Sequence, residues 1–272
     1  MLLDSQIEAW FAEDVGHHDV TNDVPGDAAG RLVATESGTV AGLDAAVAAF
    51  DYVDVDATAT VENGATVDAG DVVLRAEGPA RDVLRAERVA VNVAGHASGV
   101  ATRTAAAVDA ARDVDDRVRV ACTRKTTPGL RGVEKRAVAA AGGDTHRLDL
   151  SHMVMVKDNH IAAMGLEDAV RTMAERASFT TKVEVEVERG EDAPRAAVAG
   201  ADVVLLDNMG PDLVADAVDR LAETGHDDVL VEASGGITLA DVPAYAETGV
   251  DVVSMGSLTH SAPALDLSFR LE

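Results

Sequence analysis

The second half of the chain alternates strand-like and helix-like segments, and this pattern limits the possible folds more than any other feature. Six runs rich in β-branched residues are predicted as strands, at residues 118–123, 153–157, 182–187, 202–207, 229–233 and 251–256. Helix-like segments separate them. Strands that alternate with helices pair in parallel through right-handed crossovers. The pattern therefore predicts either an open doubly wound sheet or a β/α barrel.

Polar residues at the predicted strand ends favour the barrel. At or just after the six carboxyl ends stand Arg124 with Lys125, then Lys157, Glu186, Asp207, Ser234 with Gly235 and Gly236, and Gly256 with Ser257. In a β/α barrel these ends converge on one face, where the active site is built. No GxGxxG motif follows the first strand, which argues against a dinucleotide-binding sheet. We therefore predict a barrel in this half of the chain.

The first half of the chain predicts a small α+β domain. Residues 30–42 and 56–78 alternate like strands and carry Gly, Asn and Asp at their turns. A long stretch with helical spacing follows, in which Gly95 and Gly99 are tolerated interruptions. The predicted domains are residues 1–108, which end in this long connecting helix, and residues 109–272, the barrel. The C-terminal tail is a candidate to pack back on the first domain.

The formal net charge of -25 limits the classes of partner. A field this negative repels nucleic acid and anionic membranes, so neither is expected as a partner. No apolar run approaches the roughly 20 residues of a membrane-spanning helix, and the acidic start lacks the basic region of a signal peptide. We therefore expect a cytoplasmic protein. The single cysteine, Cys122, excludes an intrachain disulfide.

The basic residues are mostly arginines, in a chain whose acidic residues are spread along its whole length. Only four lysines occur, which are Lys125, Lys135, Lys157 and Lys182. Together with the dominance of Ala and Val, this composition predicts a halophilic protein, because salt screens acidic self-repulsion. An ordinary acidic protein from a high-GC genome is the alternative. A lysine retained against this trend marks a position that needs a compact point charge.

The last two strand ends carry glycine-rich turns, ASGGIT and SMGSLTH. Glycine lets backbone N–H groups approach an anion, and a helix N-terminus favours negative charge. Two such turns in succession predict a phosphate site, although each alone is consistent with an ordinary turn. On the two preceding strands, Glu186 and Asp207 are suited to hold Mg²⁺ through water, bind ribose hydroxyls or stabilise a cationic carbon. A solvated acidic face explains the neighbouring Glu184 and Glu188 equally well.

Basic residues concentrate in three other segments, TRKTTPGLR, GGDTHR and MVKDNH. They contribute Arg124, Lys125, His146, Arg147 and Lys157. In so acidic a chain this concentration predicts an anionic ligand with more than one negative group, since Arg pairs with carboxylates and Lys with phosphates. A salt-bridged barrel rim explains any single residue but not the whole set. The adjacent His17 and His18 lack further ligands nearby in sequence and are predicted to lie in a polar loop rather than to bind a metal.

These segments together resemble the quinolinate phosphoribosyltransferase family. The family pattern is similar to TRKTTPGLR, GGDTHR, VKDNH, VEVEVE, LLDN, ASGGIT and GSLTHSAPALD in this order, and to EDVGHHDVT and ERVAVNVAGHASGVAT in the first half. The resemblance covers essentially the whole chain. It implies a small N-terminal domain and an incomplete β/α barrel of six or seven strands. It also implies a homodimer in which the N-terminal domain of one subunit caps the barrel of the other.

The resemblance also implies roles for individual residues. Quinolinate would be held by Arg88 from the partner subunit together with Arg124, His146, Arg147 and Lys157. Lys125 and Lys157 would contact phosphoribosyl pyrophosphate, and Glu186 with Asp207 would bind its ribose and its Mg²⁺. The 5′-phosphate would lie at Ser234, Gly235, Gly236, Gly256 and Ser257.

The implied reaction makes nicotinate mononucleotide, CO2 and pyrophosphate on the way to NAD. Two alternatives stay open at the level of sequence. One is a transferase of the same fold with another acceptor, such as nicotinate, and the other is a non-catalytic barrel that binds a phosphorylated metabolite. An acceptor with a single carboxylate would not need Arg88, Arg124, His146 and Arg147 together, so their presence favours quinolinate.

Overall fold

A computed structural model describes residues 4–272. The chain divides into two compact units, which we call the N-terminal unit and the barrel unit. The N-terminal unit contains the described residues up to Ala105 together with Thr126–Gly142 and Leu258–Glu272, and the barrel unit contains Ala106–Lys125 and Gly143–Ser257. No helix within residues 4–272 is both long enough and apolar enough to cross a membrane.

The helices and strands alternate along most of the chain. In chain order the helices are α1 (Asp4–Val15), α2 (Leu43–Asp51), α3 (Ala80–Arg112), α4 (Arg131–Ala140), α5 (Asp158–Met164), α6 (Leu166–Arg176), α7 (Ala193–Ala199), α8 (Pro211–Glu223), α9 (Val242–Ala246) and α10 (Ser257–His260). The strands are β1 (Asp27–Ala34), β2 (Gly38–Thr39), β3 (Asp56–Ala59), β4 (Thr66–Val67), β5 (Val72–Pro79), β6 (Arg119–Ala121), β7 (Val154–Val156), β8 (Val183–Val187), β9 (Val203–Asp207), β10 (Leu230–Ser234), β11 (Val252–Ser254) and β12 (Leu267–Leu271).

The N-terminal unit is built around an antiparallel sheet with the strand order β12-β1-β5-β3. Its core contains large side chains that are fully buried, among them Leu32, Leu43, Phe50 and Leu74. The ring of Phe50 lies 5.6 Å from that of Phe269 on β12, measured between ring centroids. Burial of this apolar surface is the main force that holds the small sheet against helices α2 and α3.

The C-terminal segment packs within the N-terminal unit, and two glycines of α3 make room for it. Strand β12 pairs with β1 in the antiparallel sense, with Leu32 opposite Phe269. The N–H of Leu265 donates a hydrogen bond of 3.0 Å to the carbonyl oxygen of Gly95. A Cβ atom at Gly99 would lie 1.9 Å from the carbonyl oxygen of Pro263, so only glycine fits there. These glycines interrupt the helical pattern because another chain segment crosses α3 at this point.

The barrel unit contains a parallel sheet with the order β6-β11-β10-β9-β8-β7. The first of these strands, β6, pairs with the last one, β11, and Ala121 of β6 also forms a parallel bridge with Asp144. The segment at Asp144 thus lies between β6 and β7, and the strands follow one another around a circle in chain order. Among the described residues, strand pairing is missing only between the segment at Asp144 and β7. This topology is a β/α barrel with one opening, which confirms the predicted incomplete barrel with its smaller N-terminal domain.

All six predicted barrel strands and the long helix α3 are present, with ends that shift by one or two residues. Helices α1 and α5 and strand β12 were not predicted. Helix α5 begins directly after Lys157, in a segment for which no helix was predicted, and the N–H of Lys157 donates a hydrogen bond of 3.0 Å to Nδ1 of His160. His160 thus takes the place of the Glu or Gln that accepts the first N–H in a capping box, and the N-cap position holds Lys157 rather than the Ser, Thr or Asp that signals a helix start.

Candidate active site

The carboxyl ends of the barrel strands surround a cavity of about 510 Å³, in the size range of small-molecule sites. Its lining includes ten of the predicted site residues, which are Arg124, Lys125, His146, Arg147, Lys157, Glu186, Asp207, Ser234, Gly235 and Gly236. Thr123, Met155, Leu205, Asn208, Glu232 and Ser254 complete the lining. The residues at five of the six predicted strand ends therefore share one cavity.

Three predicted site residues do not line this cavity. Gly256 and Ser257 follow β11, and the buried hydroxyl oxygen of Ser257 has no hydrogen-bond partner within residues 4–272. Arg88 is an exposed residue of α3 in the N-terminal unit. The resemblance implies that it acts in the site of a partner subunit.

One side of the cavity holds two arginines close together. Burial, and then the nearby Arg124, lower the pKa of the Arg147 guanidinium, while Glu184 and Glu186 act in the opposite sense. The Arg147 side chain is largely buried, and its Nη2 lies 3.3 Å from the sulfur of Met155. The two positively charged guanidinium groups repel each other. A carboxylate bound between them would pair with both and so reduce this repulsion.

Two carboxylates, at the ends of the adjacent strands β8 and β9, also line the cavity. The ammonium group of Lys157 contacts the carboxylate of Glu186 directly. Asp207, at the end of the next strand, accepts a hydrogen bond of 2.6 Å from Nδ2 of Asn208. Two carboxylates on adjacent strands provide the oxygen ligands that Mg²⁺ prefers, and Lys157 can pair with a phosphate as readily as with Glu186.

In the turn after β10, the backbone of Gly235 lies close to the backbone of Asn208. Gly235 and Gly236 have φ angles of 106° and 65°. A Cβ atom at Gly235 would lie 2.6 Å from the backbone nitrogen of Asn208, so a larger residue does not fit. No helix begins at this turn, since α9 starts only at Val242 and has five residues. The prediction of a helix N-terminus at the ASGGIT turn is therefore wrong, and Gly235 and Gly236 line this part of the cavity together with Ser234 and Asn208.

A buried cluster lies at the inner end of the cavity. Nε2 of His146 lies 3.0 Å from Oε2 of Glu232 and 3.3 Å from Oε2 of Glu184. Glu184 and Glu232 are 0% and 2% exposed. The interpretation of Glu184 as part of a solvated face is wrong, because it points into the barrel, whereas Glu188 is exposed. Neither carboxylate oxygen of Glu184 accepts a well-aligned hydrogen bond from any residue in 4–272.

The charges in this cluster oppose one another. Burial raises the pKa of Glu184, and its contact with His146 lowers it. Burial also lowers the pKa of His146, but its contacts with Glu184 and Glu232 prevail and raise it to about 10, which favours a proton on Nε2. The backbone opposes a second proton on the ring, because the N–H of Arg147 donates a hydrogen bond of 2.6 Å to Nδ1 of His146. A proton on Nδ1 would face that N–H, so the geometry assigns a neutral ring with its proton on Nε2.

Among residues 4–272, these three are the only set of metal-ligating side chains whose ligand atoms all lie within 4.8 Å of one another. His17 and His18 are exposed and take no part in it. Sequence reasoning missed Glu232 and Ser254. A signal for Glu232 existed in the apolar strand VLVEA. The outer face of a barrel strand packs against helices, so a lone glutamate in such a strand is expected to point into the barrel. Ser254 gave no such signal, and its buried hydroxyl has no hydrogen-bond partner in the described chain.

The family follows from comparison of the whole chain with known proteins. Residues 19–98 match the model of the quinolinate phosphoribosyl transferase N-terminal domain, and residues 100–270 match that of its C-terminal domain. The chain belongs to the quinolinate phosphoribosyl transferase family. The strand-end cavity thus lies in the C-terminal domain of this family, and Arg88 lies in its N-terminal domain.

Several relatives of this family cover the chain almost completely. The probable nicotinate-nucleotide pyrophosphorylase [carboxylating] of Methanothermobacter thermautotrophicus is 46% identical, over 97% of this chain and 97% of its own. The human nicotinate-nucleotide pyrophosphorylase [carboxylating] is 41% identical, over 99% of this chain and 91% of its own. The crystal structure of NadC from Streptococcus pyogenes matches with a TM-score of 0.91 and 40% identity, over 99% of this chain and 96% of that one.

Proposed function

We propose that the chain transfers the phosphoribosyl group of phosphoribosyl pyrophosphate to quinolinate with decarboxylation, giving nicotinate mononucleotide, CO2 and pyrophosphate in NAD biosynthesis. The names of the relatives describe this reaction in the reverse direction. The observation that carries the proposal is that two arginines, two carboxylates and a glycine turn line one cavity. A dicarboxylate acceptor suits the arginines, and a ribose phosphate suits the carboxylates and the glycine turn.

The acceptor's two carboxylates pair with Arg124 and Arg147. The lowered pKa of Arg147, caused first by burial and then by Arg124, supports this role, because a bound dianion would remove the repulsion. The guanidinium fork matches a carboxylate in shape, and a buried setting strengthens the pairing. With both carboxylates held, the ring nitrogen can be aligned with C1 of the ribose, and this alignment is a large part of catalysis in group transfer.

The phosphoribosyl donor contacts the carboxylates and the glycine turn. The 5′-phosphate binds at Ser234, Gly235 and Gly236, which line the cavity, because glycine allows backbone N–H groups to approach an anion closely. The unpartnered hydroxyl groups of Ser254 and Ser257 are further donors for it. Lys125 and Lys157 neutralise the pyrophosphate. Glu186 is released from Lys157 when that lysine pairs with the donor, so its carboxylate is then free to bind the ribose.

The chemistry follows from these positions. The ring nitrogen of quinolinate bonds to C1 of the ribose while the bond from C1 to the pyrophosphate oxygen breaks. Glu186 and Asp207 stabilise the positive charge that develops on the ribose, and the lysines stabilise the leaving group. The nitrogen of the product ring is positively charged, and it stabilises the electron pair that stays on the neighbouring ring carbon when the bond from that carbon to the carboxylate breaks. CO2 then leaves, and a proton takes its place on the ring carbon.

Magnesium is part of the proposal. The carboxylates of Glu186 and Asp207 fit this ion, since it prefers oxygen ligands and is commonly held by one or two carboxylates together with substrate phosphates. Mg²⁺ supplies charge neutralisation to the pyrophosphate when it is bound. Lys125 and Lys157 would share this task with the ion.

A homodimer completes the proposed site. Arg88 is exposed on α3 and lies outside the set of residues that line the cavity. We propose that the partner subunit's Arg88 contacts a carboxylate of quinolinate, as the resemblance implies. Sedimentation of the protein with and without quinolinate is expected to give a dimer in both cases.

The acidic composition is proposed as an adaptation to a salt-rich cytoplasm, because screening shortens the repulsion within a chain of net charge -25. We expect the melting temperature to rise between low and molar KCl. A melt with no stabilisation by KCl would contradict this adaptation and leave the proposed reaction untouched.

The proposed reaction is tested by product analysis at high KCl with Mg²⁺, phosphoribosyl pyrophosphate and quinolinate. We expect nicotinate mononucleotide and CO2 to form in equal amounts. Binding of both substrates without any product would favour a non-catalytic barrel and refute the proposal.

A further inference from the structure

Both ring nitrogens of His146 are engaged by the protein itself. Nδ1 accepts the N–H of Arg147 at 2.6 Å, and Nε2 faces the carboxylates of Glu232 and Glu184. An imidazole ring has only these two hydrogen-bonding atoms. No ring atom is therefore left to hydrogen-bond a carboxylate of the acceptor, which is the role that the resemblance implies for this residue.

The backbone at His146 is held as firmly as the ring. Its φ angle is 49°, in the left-handed region that β-branched residues strongly disfavour. The N–H of His146 donates a hydrogen bond of 2.7 Å to Oδ1 of Asp144, which itself lies beside β6 through its bridge to Ala121. The chain turns at His146, and this turn sets the direction in which Arg147 leaves the backbone.

The two buried glutamates fix the ring from the inside. Glu186 and Glu232 both lie in register with Leu205 of β9, and Glu184 lies one inward-facing position earlier on β8 than Glu186. Glu184 and Glu232 are buried to 0% and 2% exposure. Buried carboxylates are costly unless they have a function or a partner, and the Nε2–H of His146 is the group that both of them face.

We infer that His146 is a positioning residue, held by Glu184 and Glu232, which fixes the backbone of Arg147 so that the Arg147 guanidinium meets the acceptor carboxylate. This inference rests on the proposed function and deepens it. It removes His146 from the groups that touch quinolinate and adds two glutamates to those on which quinolinate binding depends.

Two substitutions at His146 separate positioning from direct binding. Asn tolerates the left-handed backbone, and its side-chain oxygen can accept the Arg147 N–H, whereas Val offers neither property. We expect His146→Asn to lower kcat/KM for quinolinate about tenfold and His146→Val to lower it about 100-fold, chiefly through KM, because misplaced groups lose orientation. The KM for phosphoribosyl pyrophosphate should stay unchanged in both. Equal losses in the two variants would overturn the inference.

The glutamates are tested with a matched pair. Glu232→Met keeps the length of the side chain but removes the acceptor for Nε2–H, and we expect it to raise the KM for quinolinate about tenfold. Glu188→Met makes the same change at an exposed position beyond the end of β8 and should leave both KM values as in the wild type. A Glu232→Met enzyme with an unchanged KM for quinolinate would overturn the inference.

The state of the ring can be measured without turnover. A ¹H–¹⁵N spectrum of the eight histidines, assigned by the signal that is lost in His146→Asn, should show Nε2 protonated and Nδ1 unprotonated. A ring protonated on Nδ1, or a stoichiometric transition metal that Glu232→Met removes, would overturn the inference. Wild-type protein that shows the expected ring but no turnover of quinolinate would refute the proposed function alone.

Discussion

The interior of the N-terminal sheet and the interior of the barrel are equally well buried, but they contain different side chains. The first is filled by Leu32, Phe50, Leu74 and similar apolar groups. The second, at the carboxyl end of the barrel, contains Glu184, Glu232 and the largely buried Arg147. A charged group loses favourable hydration free energy when it is buried, and an apolar group does not. Buried charged groups therefore destabilise the fold unless they are paired.

This difference between the two interiors separates the side chains that stabilise the protein from those that bind a ligand. The apolar interior contributes folding free energy through the area it removes from water. The charged interior keeps pairs of like charges together, such as Arg124 with Arg147, which favours binding of an anion over an empty site. Substitutions in the two regions should therefore affect different measurements.

The largest effect on stability is expected from Phe50→Ala. Its ring is fully buried and packs against Phe269, so its removal should cost about 3–5 kcal/mol of unfolding free energy. The folded fraction should keep the kcat of the wild type. Phe179→Ala is the control, since this ring is 101% exposed and its loss should change stability by less than about 0.5 kcal/mol. Denaturant unfolding checks both, and equal effects would mean that the apolar interior is not the source of stability.

The largest effect on activity is expected from Lys157→Met. Loss of the ammonium group beside Glu186 should lower kcat by roughly 100- to 1,000-fold, because it removes charge stabilisation at the leaving group. The melting temperature should barely change. Lys182→Met makes the same substitution at an exposed lysine just before β8, and steady-state kinetics should find it equal to the wild type. Similar kinetics for the two variants would remove Lys157 from the reaction.

A smaller effect, on the pH dependence of stability, is expected from Asp19→Asn. The Arg85 side chain, followed by the N–H groups of Thr21 and Asn22, holds the pKa of Asp19 well below its usual value near 3.8. A lowered pKa in the folded state gives stability that is present above the unfolded value and lost as the pH falls towards the folded one. The variant should therefore melt lower than the wild type at pH 7. The difference should shrink below about pH 4, near the ordinary Asp value, and a difference independent of pH would exclude this ion pair as its cause.

Much of the fold could be predicted from local pattern. The barrel strands are β-branched runs between clear helices, and their polar ends identified most of the cavity. Helix α5 was missed because its start lacks the usual capping residue, and β12 was missed because its partner β1 is more than 200 residues away in sequence. Gly95 and Gly99 could be recognised as exceptions to the helix pattern, but the segment that crosses them could not.

The candidate site was predicted less completely on its inner side. A strand alternates its side chains, so sequence gives the shared face of Glu184, Glu186 and Glu188 but not which of them lies inside the barrel. That depends on where each strand ends relative to the cavity. The engagement of both His146 nitrogens depends on a left-handed backbone angle, for which the sequence carries no pattern.

We infer above all that the cavity, through Arg124 and Arg147, selects an acceptor with two carboxylates. The most direct test is the ratio of kcat/KM for quinolinate to that for nicotinate, measured with phosphoribosyl pyrophosphate, Mg²⁺ and high KCl while CO2 is followed. We expect a ratio of about 1,000 or more, with CO2 released only from quinolinate, since a site built for two carboxylates leaves charged groups unpaired when one is missing. Comparable turnover of nicotinate would contradict the claim.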